Sequence, residues 1–135
     1  ESDPLYGRAA DAAGVVPVTE YIPDSELIDY YNAASAYASY PTAEAMAGGH
    51  SGIISPVEAL ACGTPVVSPV LRHFPAGDRS DVGVYPTDQS TFVSGIERLL
   101  DGDGPDPTTC RRVAEDHFSW ASVARRIAAE YDAVL

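Results

Sequence analysis

Between Ala36 and Ser68 the chain reads as strand, glycine-rich loop, helix, tight turn and strand, and no other feature constrains its fold as much. Ala36 to Tyr40 is a short strand candidate ended by Pro41. Ala43 to Gly52 is a loop of small residues. A helix follows, stopped at Gly63, and Pro65 to Ser68 is a second short apolar strand. Two strands joined by one helix lie parallel in the same sheet, and the helix covers one face of it. The helix opening is legible in detail. Ser55 is read as the N-cap, Pro56 as the first helical residue and Glu58 as the acid that closes a capping box.

The remainder repeats the alternation. Arg8 to Ala13 reads as a helix end stopped by Gly14, and Val15 to Thr19 as a buried β-branched strand. Asp24 or Ser25 is expected to cap a helix with Leu27, Ile28, Tyr30 and Tyr31 on its apolar side. Val82 to Tyr85 is another strand. Asp88 caps a helix whose Phe92, Val93, Ile96, Leu99 and Leu100 follow the 3.6 period. Asp106-Pro107 opens a helix to about His117, and Ser119 caps the last, with Val123, Ile127, Tyr131 and Val134 on one side. The polar stretch Arg72 to Asp81 is expected to be the most mobile loop after the glycine-rich one. Strands alternating with helices imply an α/β fold: a Rossmann-like parallel sheet with helices on both faces, forming one domain over residues 1–135.

Charge excludes some partners. Twenty acidic and eight basic residues, all eight of them Arg, give a formal net charge of −12. Such a surface repels nucleic acid and anionic lipid. Many carboxylates without Lys suit a solvated surface in a high-salt cytoplasm, and the expectation is of an acidic, halophilic protein. No apolar run approaches a membrane span. Cys62 and Cys110 form no CxxC, so neither a zinc site nor a disulfide framework is expected, and Cys62 reads as a small core residue.

The chemistry gathers at the glycine-rich loop. It leaves the carboxyl end of a strand, where open α/β sheets bind ligands. Glycines admit close backbone approach, and the first turn of a helix offers free amides with partial positive charge. Phosphate suits both. Glu58 has two readings: a capping acid, or a carboxylate that accepts hydrogen bonds from two vicinal ribose hydroxyls. His50 is either solvated or a charged donor beside a diphosphate.

From Val15 onward the chain resembles the carboxyl-terminal, donor-binding domain of retaining glycosyltransferases of family 4, which have the GT-B fold. The run Ser55-Pro56-Val57-Glu58-Ala59-Leu60-Ala61-Cys62-Gly63-Thr64-Pro65-Val66-Val67-Ser68 is similar to that family's donor-site helix and following strand. Val15 to Pro41, Gly83 to Asp88 and Phe118-Ser119-Trp120 with the helix to Leu135 resemble the flanking parts in the same order. The resemblance implies hexosyl transfer from a nucleotide diphosphate-sugar, with that donor as substrate and neither cofactor nor bound metal. Glu58 matches the second of the family's paired glutamates, the one that holds the ribose. The donor-binding set is Glu58, Gly49, Ser51, Gly52, Ile53, Ile54 and Ser55. The first glutamate falls on His50, the candidate catalytic hydrogen-bond donor near the leaving group, and Glu44 is a candidate replacement. The acid that follows a proline in the family is Ala76 here. The family's first strand and helix, with an Arg and a Lys for the diphosphate, find no match. The chain is therefore expected to be part of a longer protein whose amino-terminal domain binds the acceptor, and to be inactive alone. A cytoplasmic site is expected, peripheral at the membrane if the acceptor is a lipid.

Three other readings stand beside this one: a non-catalytic nucleotide-sugar-binding or interaction module, another GT-B enzyme such as a nucleotide-sugar epimerase, and a generic α/β domain in which Glu58 only caps. Composition itself generates a prediction. Raising KCl from 0.01 to 1 M shrinks the Debye length from about 30 to about 3 Å. The thermal midpoint of the protein should rise over that range; a flat or falling midpoint contradicts the reading of the acidic surface.

Overall fold

The structure, a computed structural model, describes residues 14–40 and 52–134. Among them three short strands, β1 (Tyr37–Ala38), β2 (Val66–Val67) and β3 (Gly83–Val84), form a parallel sheet in the order β1-β2-β3. Tyr37 stands opposite Val66, and Val66 opposite Gly83. The amides of Tyr37 and Ser39 donate to the carbonyls of Pro65 and Val67, at 2.9 and 3.1 Å. Both valines of β2 are fully buried, as a strand covered on two faces must be.

Helix α1 (Asp24–Ala33) precedes β1, and α2 (Ile54–Ala61) makes the crossover from β1 to β2. A 3₁₀ helix (Pro69–His73) and the single turn α3 (Arg79–Val82) lie between β2 and β3. Helices α4 (Gln89–Leu100), α5 (Pro107–Phe118) and α6 (Trp120–Val134) follow. The alternation of side chains along β2 defines the layers. Val66 joins a cluster with Ala59 and Leu60 of α2, Cys110, Val113 and Ala114 of α5, and Leu71, Phe74 and Val82. Val67 meets α4 instead. A Cβ built on Gly95 of α4 would lie 3.1 Å from the Val67 side chain and 2.9 Å from that of Val84, so glycine lets this helix lie close against the sheet. Helices thus cover both faces, and the α/β expectation holds for the described residues.

Local chemistry fixes the ends. The Asp106 carboxylate accepts from the Thr108 and Thr109 amides, with Pro107 at the first helical position. Asp88 and Thr91 form a full capping box, and the amide and hydroxyl donors of Thr91 hold the Asp88 carboxyl below the usual carboxylate range. Helix α2 closes in a Schellman motif. The Gly63 amide reaches the Leu60 carbonyl and the Thr64 amide the Ala59 carbonyl, with Gly63 at a φ of +87°. Arg111 of α5 donates to the Cys62 carbonyl at 2.8 Å, satisfying another acceptor at that end.

Several expectations are corrected. Val15 to Thr19 is neither a strand nor buried; Pro17 removes an amide from the run, and among the described residues β1 pairs only with β2. Helix α1 is capped by neither Asp24 nor Ser25. Pro23 holds the N-cap position, and Asp24 and Glu26 serve as first-turn acids against the helix dipole. The third correction is at α2, where Ile53 is the N-cap and no side chain caps. The Val57 amide donates to the Ile53 carbonyl, so the helix begins before Ser55. Pro56 is tolerated because first-turn amides have no intrahelical acceptor. Fourth, the expected apolar side of α6 is exposed beyond Val123, with Ile127 at 52% and Tyr131 at 69%. That helix packs on α5 near its start, where Arg126 reaches the His117 carbonyl. Fifth, Cys62 is only half-buried, whereas Cys110 is the core thiol, its pKa pushed up to about 11 chiefly by burial.

Arg72 to Asp81, expected as a loop, carries the end of the 3₁₀ helix and α3. Phe74 is buried and packs tilted against Phe118 of α5, with ring centroids 4.7 Å apart. The Arg79 guanidinium donates to the carbonyls of Phe74 and Arg72 and lies over the Tyr85 ring. Residues 1–13, among them the expected helix end from Arg8 to Ala13, lie outside the described residues.

The packing generates one prediction. A Cβ on Gly83 would stand 1.8 Å from the Val66 carbonyl oxygen, whereas one on Gly77 meets nothing within 4 Å. Gly83→Ala should destabilise the protein by about 3 kcal/mol and Gly77→Ala should be close to neutral, as read from urea midpoints. Equal effects of the two would contradict this account of the sheet.

Candidate functional site: the mouth of α2 and its groove with α1

Helix α2 returns the chain from β1 to a parallel strand, so it runs against the strands and its amino terminus opens at their carboxyl edge. Gly52, at a φ of +58°, brings the chain into it, a conformation that favours glycine. Gly52 and Ile54 are exposed, and Ile53 and Ser55 are half-buried. Among the described residues nothing is hydrogen-bonded to the amides of Ile54 and Ser55. Among the described residues these two amides are donors without an acceptor, at the positive end of the helix dipole.

Glu58 sits one turn further in, and its exposed side chain faces α1. The Tyr31 hydroxyl donates to its Oε2 at 3.2 Å. Between the two helices lies a groove of about 320 Å³, lined by Asp24, Leu27, Ile28 and Tyr31 of α1 and by Glu58, Ala61 and Cys62 of α2. Most of its wall is apolar, with Asp24 and Glu58 as its charges.

Tyr31 is held from several sides. The Thr64 hydroxyl, 3% exposed, donates to the Tyr31 carbonyl at 2.5 Å and ties the last turn of α1 to the turn after α2. The Tyr31 ring lies 6.2 Å from that of Tyr37 on β1. Burial raises the Tyr31 phenol above its ordinary value; the nearby Ser55 side chain works against this, and the Glu58 charge adds to it. The hydroxyl accordingly remains a neutral donor at physiological pH. Burial also raises the Cys62 thiol, with Arg111 opposing and Glu58 reinforcing the shift. Cys62 thus contributes a neutral, weakly polar wall.

Of the residues expected at the site, Gly52, Ile53, Ile54 and Ser55 form the mouth, with Glu58 on the next turn. Gly49, His50, Ser51 and Glu44 lie outside the described residues. Glu58 does not close a capping box: as a second-turn residue it binds Tyr31 instead. Leu27, Ile28, Tyr31 and Cys62 were not read as site residues. The spacing from Leu27 to Tyr31 put both on one helical face, and the tyrosine's hydroxyl was the overlooked signal of a polar task there. Among the described residues no three or more His, Cys, Asp or Glu gather as a metal ion would require, and no helix is long and apolar enough to cross a membrane.

These features can be set beside known proteins. No protein-family model matches the chain, and no solved structure does. It is 32% identical over 134 residues to the D-inositol 3-phosphate glycosyltransferase of Mycolicibacterium vanbaalenii, a match covering 96% of this chain and 28% of that protein. To the protein of the same name from Mycolicibacterium smegmatis it is 29% identical over 133 residues, covering 92% and 29%. The chain thus spans less than a third of the curated relatives it matches, and over almost its whole length it is similar to part of two glycosyltransferases.

Proposed function

We propose that the chain is the donor-binding part of a retaining GT-B glycosyltransferase of family 4, one that takes a hexosyl group from a nucleotide diphosphate-sugar. A single observation carries this reading. The Glu58 carboxylate is exposed one turn from a helix amino terminus at the carboxyl edge of a parallel sheet. Similarity to two glycosyltransferases supports it independently.

In this reading the diphosphate lies against the amides of Gly52 to Ser55, and Gly49 and Ser51 also serve the donor. A helix terminus stabilises the negative charge that grows on the leaving diphosphate as the glycosidic bond breaks, without a metal. The ribose hydroxyls donate to Glu58, and His50 donates near the leaving group. The groove beside Tyr31 offers apolar wall to the rest of the nucleoside. The acceptor binds on a separate amino-terminal domain, and closure of the cleft excludes water and aligns the acceptor hydroxyl. The relatives' name makes an inositol phosphate the first acceptor to try.

Glu58→Gln tests the assignment. Loss of hydrogen bonds to a charged acceptor costs about 2 kcal/mol, roughly a thirtyfold rise in Kd. Calorimetry against UDP, GDP and ADP should show that rise for whichever nucleotide binds, at an unchanged thermal midpoint. Unaltered affinity would remove Glu58 from the site.

A further inference from the structure

Resting on the reading of Glu58 as the ribose acceptor, we propose that Tyr31 is a positioning residue, whose hydroxyl presets the Glu58 carboxylate and thereby sets discrimination between ribose and deoxyribose. The geometry has a division of labour. A carboxylate offers about four lone-pair sites on its two oxygens. Tyr31 occupies one of those on Oε2, at 3.2 Å. The others remain for two vicinal hydroxyls.

Glu58 alone would be a poor clamp. Its side chain is exposed, and among the described residues Tyr31 is its hydrogen-bond partner. An exposed glutamate samples several rotamers, and freezing one on binding costs affinity. Tyr31 removes part of that cost beforehand because it is itself fixed. Its carbonyl is held by the buried Thr64 hydroxyl, and its ring packs beside Tyr37 and the core cluster. The restraint on the carboxylate therefore runs back to the turn after α2 and to the sheet. The raised phenol pKa keeps the donor protonated at physiological pH.

The closing experiment measures the affinity of the protein for the tightest-binding of UDP, GDP and ADP, and for its 2′-deoxy counterpart, in the wild type, Tyr31→Phe, Glu58→Gln and the double variant. The phenylalanine keeps the ring and removes only the hydroxyl, and a thermal melt verifies folding of each variant. The proposal expects Tyr31→Phe to weaken ribonucleotide binding by roughly three- to tenfold and to leave the deoxynucleotide much less affected. It also expects Tyr31→Phe to add little once Glu58 is Gln, since the two act through one group. If Tyr31→Phe leaves the ribose-to-deoxyribose ratio intact while Glu58→Gln collapses it, the positioning role is overturned and the ribose site stands. If Tyr31→Phe weakens both nucleotides equally, its part is structural and the proposal fails. If Glu58→Gln leaves the ratio intact, the ribose reading fails and takes the proposal with it.

Discussion

Burial of β2 from both sides is the constraint on which the rest depends. Val66 and Val67 are fully removed from solvent, one against α2 and α5, the other against α4. Two residues make a short strand, and it is held because each neighbour comes close. Gly83 lets β3 press on the Val66 carbonyl, and Gly95 lets α4 reach the opposite face. The Schellman turn at Gly63 and the Arg111 bond to Cys62 then fix where α2 ends relative to β2. Since α2 is short, fixing its end also fixes its mouth. The site is a consequence of how the core is closed.

The proposed diphosphate contact at the mouth works against the chain's own field. A net charge of −12 repels a nucleotide diphosphate at long range, and Asp24 and Glu58 stand in the adjoining groove. Amides and dipole at the first turn of α2 act over a few ångströms, where screening is weak. High salt removes the distant repulsion and leaves the contact. An acidic surface and the proposed anion-binding mouth are thus compatible at high ionic strength.

Much of this was legible from residues. Asp88 and Asp106-Pro107 announced their helices because capping chemistry is local. The strand sites at Tyr37, Val66 and Gly83 followed from short apolar runs between turn residues. The start of α2 was misplaced because Ser55-Pro56-Val57-Glu58 satisfies every local rule for a cap, yet the left-handed Gly52 lets the helix begin earlier. Val15 to Thr19 has strand composition, but a strand needs a partner, and pairing is not written in one segment. The apolar side of α6 has the right period and remains exposed, since periodicity names a face and says nothing of what covers it. Tyr31 was counted as apolar surface; its bond to Glu58 joins residues far apart in sequence, beyond the reach of any local pattern.

The central claim is that a ribosyl diphosphate sits across the mouth of α2 and the groove with α1. A crystal structure of the protein with a bound nucleotide diphosphate decides it most directly. The account predicts phosphate oxygens at the amides of Ile54 and Ser55, and both ribose hydroxyls about 2.5–3.0 Å from the Glu58 carboxylate. A nucleotide bound elsewhere, with Glu58 still bonded to Tyr31 alone, would contradict it.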